Sequence, residues 1–266
     1  MCRWLAYSGR PIYLDAALFE PENSLIEQSL HARLGRSTTN GDGFGIGWYG
    51  GRERPGLFRD ILPAWNDDNL LSVSEQIRSG LFFAHVRAST GTQTSRSNCH
   101  PFRHGRWLFM HNGAIGGYDK VRHQLDLLID PAFYPRRAGT TDSETFFYLM
   151  LGHGLEEDAE GALARTLAQV VAIMKEAGVE APFHMTAALS DGKRVLAPRW
   201  SNDRKSPSLF HGKPCFDDAR GAEDEAVAIL SEPLDSNSES WTPVPEGHLL
   251  VAEGSEVTVK PFGPAA

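Results

Sequence analysis

The chain has 266 residues, of which 41% are hydrophobic and 23% charged, and a formal net charge of −8. That length and mix suit one well-buried folded domain over residues 1–266 and exclude a disordered chain. The acidic balance argues against a nucleic-acid binder, and no stretch approaches the roughly 20 apolar residues that cross a bilayer.

The segment from Met1 to Tyr7 has no extended apolar run before Arg10, so no signal peptide is expected. Cys2, Cys99 and Cys215 are three widely spaced cysteines and form no disulfide framework, which fits a reducing cytoplasm. Cys2 to Tyr7 reads as a short strand. Leu25 to Leu34 reads as a helix capped by Ser24, with Glu27 completing a capping box. Gly43 to Tyr49 and Arg52 to Phe58 read as a hairpin around Gly50-Gly51. Leu70 to Arg78 is predicted helical, and Leu81 to Arg87 a buried strand running into polar residues. Arg106 to Met110 is another apolar strand, ending at His111-Asn112-Gly113.

Helices are predicted at Tyr118 to Ile129, after Asp142-Ser143-Glu144 with Thr141 or Asp142 as cap, and at Glu160 to Ala177 ahead of Gly178. Strands return at His184 to Ser190, Arg194 to Pro198, Ala226 to Ser231, His248 to Ala252 and Glu256 to Lys260. With no internal repeat or low-complexity linker, this order predicts an α+β fold with helices on the outer faces of two packed sheets.

Several polar groups stand where apolar strands end. Cysteine at position 2 is small enough to permit removal of Met1, which would leave its thiol beside a free α-amine. That amine, with a pKa of about 7.7–8.0, is a usable base without special tuning; the alternative is an incidental residue at a chain end. Arg87, in Ala84-His85-Val86-Arg87-Ala88-Ser89-Thr90-Gly91, offers a planar fork for a carboxylate, or else a surface ion pair. Asn112-Gly113 offers two N–H donors that can converge on an oxyanion, although by spacing alone the dipeptide reads as a hairpin turn. Asp142 can hold an ammonium group or cap the helix that follows. The glycines from Asn40 to Trp48 match no dinucleotide fingerprint and read as tight turns and close packing. His85, Cys99, His100, His104 and His111 fit no standard zinc spacing, so neither metal nor other cofactor is expected.

Taken in order, Met1-Cys2, His85-Val86-Arg87-Ala88-Ser89-Thr90, Asn98-Cys99-His100-Pro101-Phe102, His111-Asn112-Gly113 and Asp142-Ser143-Glu144 resemble the class II glutamine amidotransferases. These are a branch of the N-terminal nucleophile hydrolases. Ser231-Glu232-Pro233-Leu234, followed by the run from Trp241 to Gly247, is similar to the stand-alone members. The resemblance implies a four-layer αββα sandwich and a γ-glutamyl thioester on Cys2. In it Asn112 and Gly113 form the oxyanion hole, Arg87 binds the substrate α-carboxylate and Asp142 its α-ammonium. Thr90 and His85 support that clamp.

Two departures qualify the likeness. Arg3-Trp4 follows the cysteine where large multidomain members have Gly-Ile, and 266 residues leave no room for a synthase domain. The expected activity is hydrolysis of glutamine or another γ-glutamyl compound. The alternatives are a glutaminase subunit docked on a partner synthase, and a non-catalytic binding module.

Overall fold

The computed structural model describes residues 2–34, 38–89, 91–214, 216, 226–237 and 239–265. Among these, two antiparallel sheets pack face to face. The first contains β1 (Arg3–Tyr13), β2 (Phe44–Trp48), β3 (Gly56–Asp60), β4 (Arg78–Val86), β9 (Phe210–Gly212), β10 (Ala226–Leu230) and β11 (Trp241–Pro243), in the order β11-β9-β10-β1-β4-β2-β3. The second contains β5 (Phe102–His104), β6 (Trp107–Ala114), β7 (His184–Ser190), β8 (Arg194–Ser201), β12 (His248–Glu253) and β13 (Glu256–Pro261), in the order β13-β12-β8-β7-β6-β5.

The period-2 alternation of strand side chains explains why the sheets are layered as they are. Along β1, Trp4 and Ala6, with Phe83 of the neighbouring β4, face the second sheet and meet Leu108 and Met110 of β6. Leu5 and Tyr7 point the other way, onto α1 (Leu14–Leu18), α2 (Leu25–His31) and α3 (Asp68–Ser74). On the far side, Phe109 of β6 and Met185 and Ala187 of β7 pack against α4 (Tyr118–Leu127), α5 (Asp142–Gly152) and α6 (Ala159–Glu176). A strand covered on both faces needs apolar residues at both parities, which is why Leu81–Ala84 reads as an unbroken apolar run. The result is the four-layer αββα sandwich that the sequence resemblance implied.

Several boundaries differ from the sequence expectation. The capping box at Ser24 is half made. Ser24 Oγ accepts the Glu27 N–H at 3.1 Å, but the Glu27 carboxylate turns to His31 instead. The helix predicted to run to Arg78 stops at Ser74, and Arg78 already opens β4. The hairpin exists, but β3 begins at Gly56, four residues after the predicted start. α1 and the three-residue strands β5, β9 and β11 had no periodic signal to announce them.

Close packing accounts for at least one glycine of the 40–48 segment. A Cβ on Gly45 would lie 2.2 Å from the His100 carbonyl oxygen, so only glycine lets β2 approach the 99–101 segment.

Candidate active site

Cys2 stands two residues before Trp4 on the inward face of β1, and Asn112 two residues after Met110 on the inward face of β6. Counting by twos therefore brings both to one end of the layer between the sheets. Asn112 Nδ2 donates to the Cys2 carbonyl at 2.9 Å. The Cys2 thiol rests on the chain beyond β4, accepting the Ala88 N–H at 3.4 Å. Burial pushes this thiol above its usual range, opposed by the Ala88 N–H and the nearby Arg87 and Arg3 charges.

Asn112-Gly113 is not the hairpin turn that its composition suggests. It lies inside β6, and Gly113 takes φ +147°, in a place where a Cβ would sit 1.9 Å from the His184 carbonyl oxygen. One Asn112 N–H is used at Cys2, and an amide group has two.

Arg87 is only 3% exposed. Its guanidinium donates to the Asp42 carbonyl at 3.2 Å, to Ser89 Oγ at 3.2 Å and to Thr92 Oγ1 at 2.6 Å. All three acceptors are neutral, and no carboxylate pairs with Arg87 among the described residues. The Asp42 carboxylate is engaged elsewhere, accepting the Ser89 N–H at 2.7 Å. A buried cation held only by dipoles is matched to an incoming anion.

Thr141, not Asp142, caps α5: its side chain accepts the Glu144 N–H at 3.2 Å. Asp142 is thereby released from capping. Its Oδ2 accepts the Ile115 N–H at 2.8 Å and its Oδ1 the Ser143 N–H at 2.8 Å, and the group faces the cavity. His111 sits beside it, with Nε2 3.1 Å from the His184 carbonyl and Nδ1 2.8 Å from Ser143 Oγ. A carbonyl only accepts, so Nε2 carries a proton, and the Ser143 hydroxyl lies between Nδ1 and Asp142 Oδ1, 3.3 Å away. Burial lowers the His111 pKa, with Asp142 acting the other way.

Cys2, Arg87, Asn112, Gly113 and Asp142 line one cavity of about 830 Å³. One other expected residue is not in its wall. His85 lies beneath, 1% exposed, with its ring 4.4 Å from that of His100, which does line the cavity. Burial and the Arg87 charge hold His85 neutral, with its pKa lowered to about 3. Thr90 and Cys215 lie outside the described residues. Residues that sequence reasoning missed include Asp42, Ser89 and Thr92 around Arg87. Also missed was the far wall formed by His184 and Lys205 to Ser208. A run of polar residues directly after β4 was the one signal for Ser89 and Thr92.

Two stacked antiparallel sheets covered by outer helices define an N-terminal nucleophile type of sandwich. The chain matches the glutamine amidotransferases class-II family over residues 21–208. A probable glutamine amidotransferase of Saccharomyces cerevisiae is 32% identical, covering 98% of this chain and 84% of its own length. The gamma-glutamyl-hercynylcysteine sulfoxide hydrolase of Mycolicibacterium smegmatis is 29% identical, covering 98% of this chain and all of its own. A glutamine aminotransferase class-II domain protein from Silicibacter pomeroyi superposes with a TM-score of 0.79 at 36% identity over the whole of both chains. The B. subtilis glutamine PRPP amidotransferase shares the fold at 13% identity, with a TM-score of 0.64 over 49% of its chain. The chain belongs to the class II glutamine amidotransferases, and it is an amidohydrolase of that type. Among the described residues no helix is long and apolar enough to cross a membrane.

Proposed function

We propose that the protein hydrolyses a γ-glutamyl amide through a γ-glutamyl thioester on Cys2. The observation that carries this reading is the convergence of Cys2, Arg87, Asn112, Gly113 and Asp142 on one cavity. Removal of Met1 would free the Cys2 α-amine as base. The thiol proton passes to that amine as Sγ attacks the γ-carbonyl carbon. The resulting oxyanion is received by the second Asn112 N–H and the Gly113 N–H, each donor of this kind contributing about 2.7–4 kcal/mol in known hydrolases. Collapse breaks the C–N bond, and the α-ammonium returns its proton to the leaving amine. Water then attacks the thioester and releases glutamate and the thiol. A thiol kept protonated by burial suits this sequence, because its proton leaves only as the bond forms. Arg87 would hold the α-carboxylate and Asp142 the α-ammonium.

The cavity also bears on what leaves. Glutamine has ten non-hydrogen atoms and occupies far less than 830 Å³, even at about 30 Å³ per atom, the share of a water molecule. Room beyond the scissile bond favours a γ-glutamyl metabolite or peptide over ammonia release to a partner synthase, and the hydrolase relative from Mycolicibacterium smegmatis acts in keeping with this.

Purified protein, checked by intact mass for loss of Met1, should release glutamate from γ-glutamyl peptides without any partner. Cys2→Ala should be inactive. Retention of Met1 in the active protein, or activity in Cys2→Ala, would overturn the mechanism. Activity on glutamine that appears only with an added partner would favour the synthase reading instead.

A further inference from the structure

The Ser231-Glu232 pair takes no part in the chemistry above, yet it is tied to the start of the chain by an unusual set of contacts. Glu232 is 1% exposed and lies just beyond β10. Its Oε2 accepts Arg3 Nε at 2.9 Å and the Leu34 N–H at 2.8 Å. Its Oε1 accepts Asn23 Nδ2 at 3.1 Å and the Arg33 N–H at 2.9 Å. Next to it, Ser231 Oγ accepts the Trp4 N–H at 2.8 Å. One buried carboxylate therefore satisfies four donors from three separate segments, among them a guanidinium that is itself 1% exposed.

The same guanidinium reaches the active site. Arg3 Nη1 donates to the Cys2 carbonyl at 2.9 Å, the oxygen that also accepts Asn112 Nδ2 at 2.9 Å. The links run Glu232 to Arg3, Arg3 to the Cys2 carbonyl, and the Cys2 carbonyl to the Asn112 amide. Fixing that carbonyl fixes the plane of the following peptide and hence the direction in which the Cys2 Cα presents its thiol and nitrogen. It also orients the Asn112 amide, and with it the second N–H. On its other oxygen Glu232 holds Arg33, and Leu34, which shares Oε2, is part of the cavity wall.

We infer that Glu232 and Arg3 are positioning residues: through the Cys2 carbonyl they set the nucleophile and the Asn112 donor together, and through residues 33 and 34 they join that setting to the substrate wall. The inference rests on Cys2 as nucleophile. A buried pair that merely stabilised the fold would affect the folded fraction and nothing else. A positioning pair affects the turnover of the folded fraction, since misplacement by about 1 Å costs on the order of 100-fold.

The test uses full-length Glu232→Gln, Arg3→Lys and Cys2→Ala. Gln keeps the shape but presents an NH2 where two donors must be accepted, whereas Lys keeps the charge but cannot bond Glu232 and the Cys2 carbonyl in one plane. Folded protein is quantified by circular dichroism and denaturant titration. Turnover and the pH dependence of Cys2 alkylation by iodoacetamide are then measured per folded molecule. The expected result is a fall in kcat of about 10- to 100-fold in both variants, with KM for a γ-glutamyl anilide changed far less in Arg3→Lys, and a displaced alkylation profile. If either variant fails to fold, the other carries the test. Wild-type kcat and alkylation profile in a folded variant would overturn the inference while an inactive Cys2→Ala leaves the nucleophile in place. An active Cys2→Ala would instead remove the reading on which the inference stands.

Discussion

Arg87→Lys tests the substrate clamp most directly, because the side chain is buried, singly charged and held by three neutral acceptors. Its fork can give a carboxylate two parallel N–H donors, and an ammonium in the same place gives one. A hydrogen bond to a charged group contributes about 1.5–3 kcal/mol. Losing one should lower kcat/KM on the order of 10- to 100-fold. Three chromogenic anilides separate this from general damage: γ-glutamyl, glutaryl without the α-ammonium, and 4-aminobutyryl without the α-carboxylate. Arg87→Lys should lose activity on the first two and stay within about threefold of wild type on the third, since a contact absent from the substrate cannot be lost. Asp142→Asn should show the mirror pattern, spared on the glutaryl compound. An equal loss by Arg87→Lys on all three substrates would refute the assignment of Arg87 to the carboxylate.

Gly113→Ala places a methyl group on the backbone oxygen of His184 and near His111 Nε2, so the β6–β7 ladder must open at its end. The cost should be at least about 1–3 kcal/mol, read as a lower melting temperature, and a wild-type melting curve would contradict the geometry. The buried histidines set an acid limit. Burial, followed by the Arg87 charge, lowers His85 to about 3, and burial with the neighbouring His85 and His111 lowers His100. An unfolded histidine takes up a proton near pH 6.5, so the unfolded state binds more protons between there and the folded values. The stability contributed by these residues is therefore complete above about pH 6.5 and declines as pH falls below it, by up to about 1.4 kcal/mol per pH unit for each histidine. Urea midpoints at pH 7, 6 and 5 should fall in that order, whereas a flat series would mean that the two rings are not held neutral.

Much of the candidate site was visible in the sequence because each of its polar groups follows an apolar strand or precedes an apolar helix. Arg87 follows Leu81–Val86, Asn112 follows Trp107–Met110, and Asp142 precedes Phe146 and Phe147. Chain-local pattern did not decide between two roles for one residue. Asn112-Gly113 reads as a turn until β7 is seen to pair across it, and Asp142 reads as a cap until Thr141 is seen to occupy that position. Contacts between distant segments were silent. Arg3 and Glu232 are 229 residues apart, and the Asp42 carbonyl meets Arg87 only because residues 42–43 lie alongside residue 87. The extension of β1 through Gly9, Arg10 and Pro11 was hidden for a different reason. Its composition is that of a turn, but a register shift between Ser8 and Ile12 lets the strand continue to Tyr13.

The proposed nucleophile and oxyanion donors hang from different sheets, Cys2 from one and Asn112 with Gly113 from the other. The distance between them is thus set by a filling of Trp4, Phe83, Leu108 and Met110, which acts as a feeler gauge holding the two sheets about 10 Å apart. Two chains with identical reactive groups can run at different speeds if this filling differs by a methylene. Tuning of the rate is then inherited through residues that never meet the substrate.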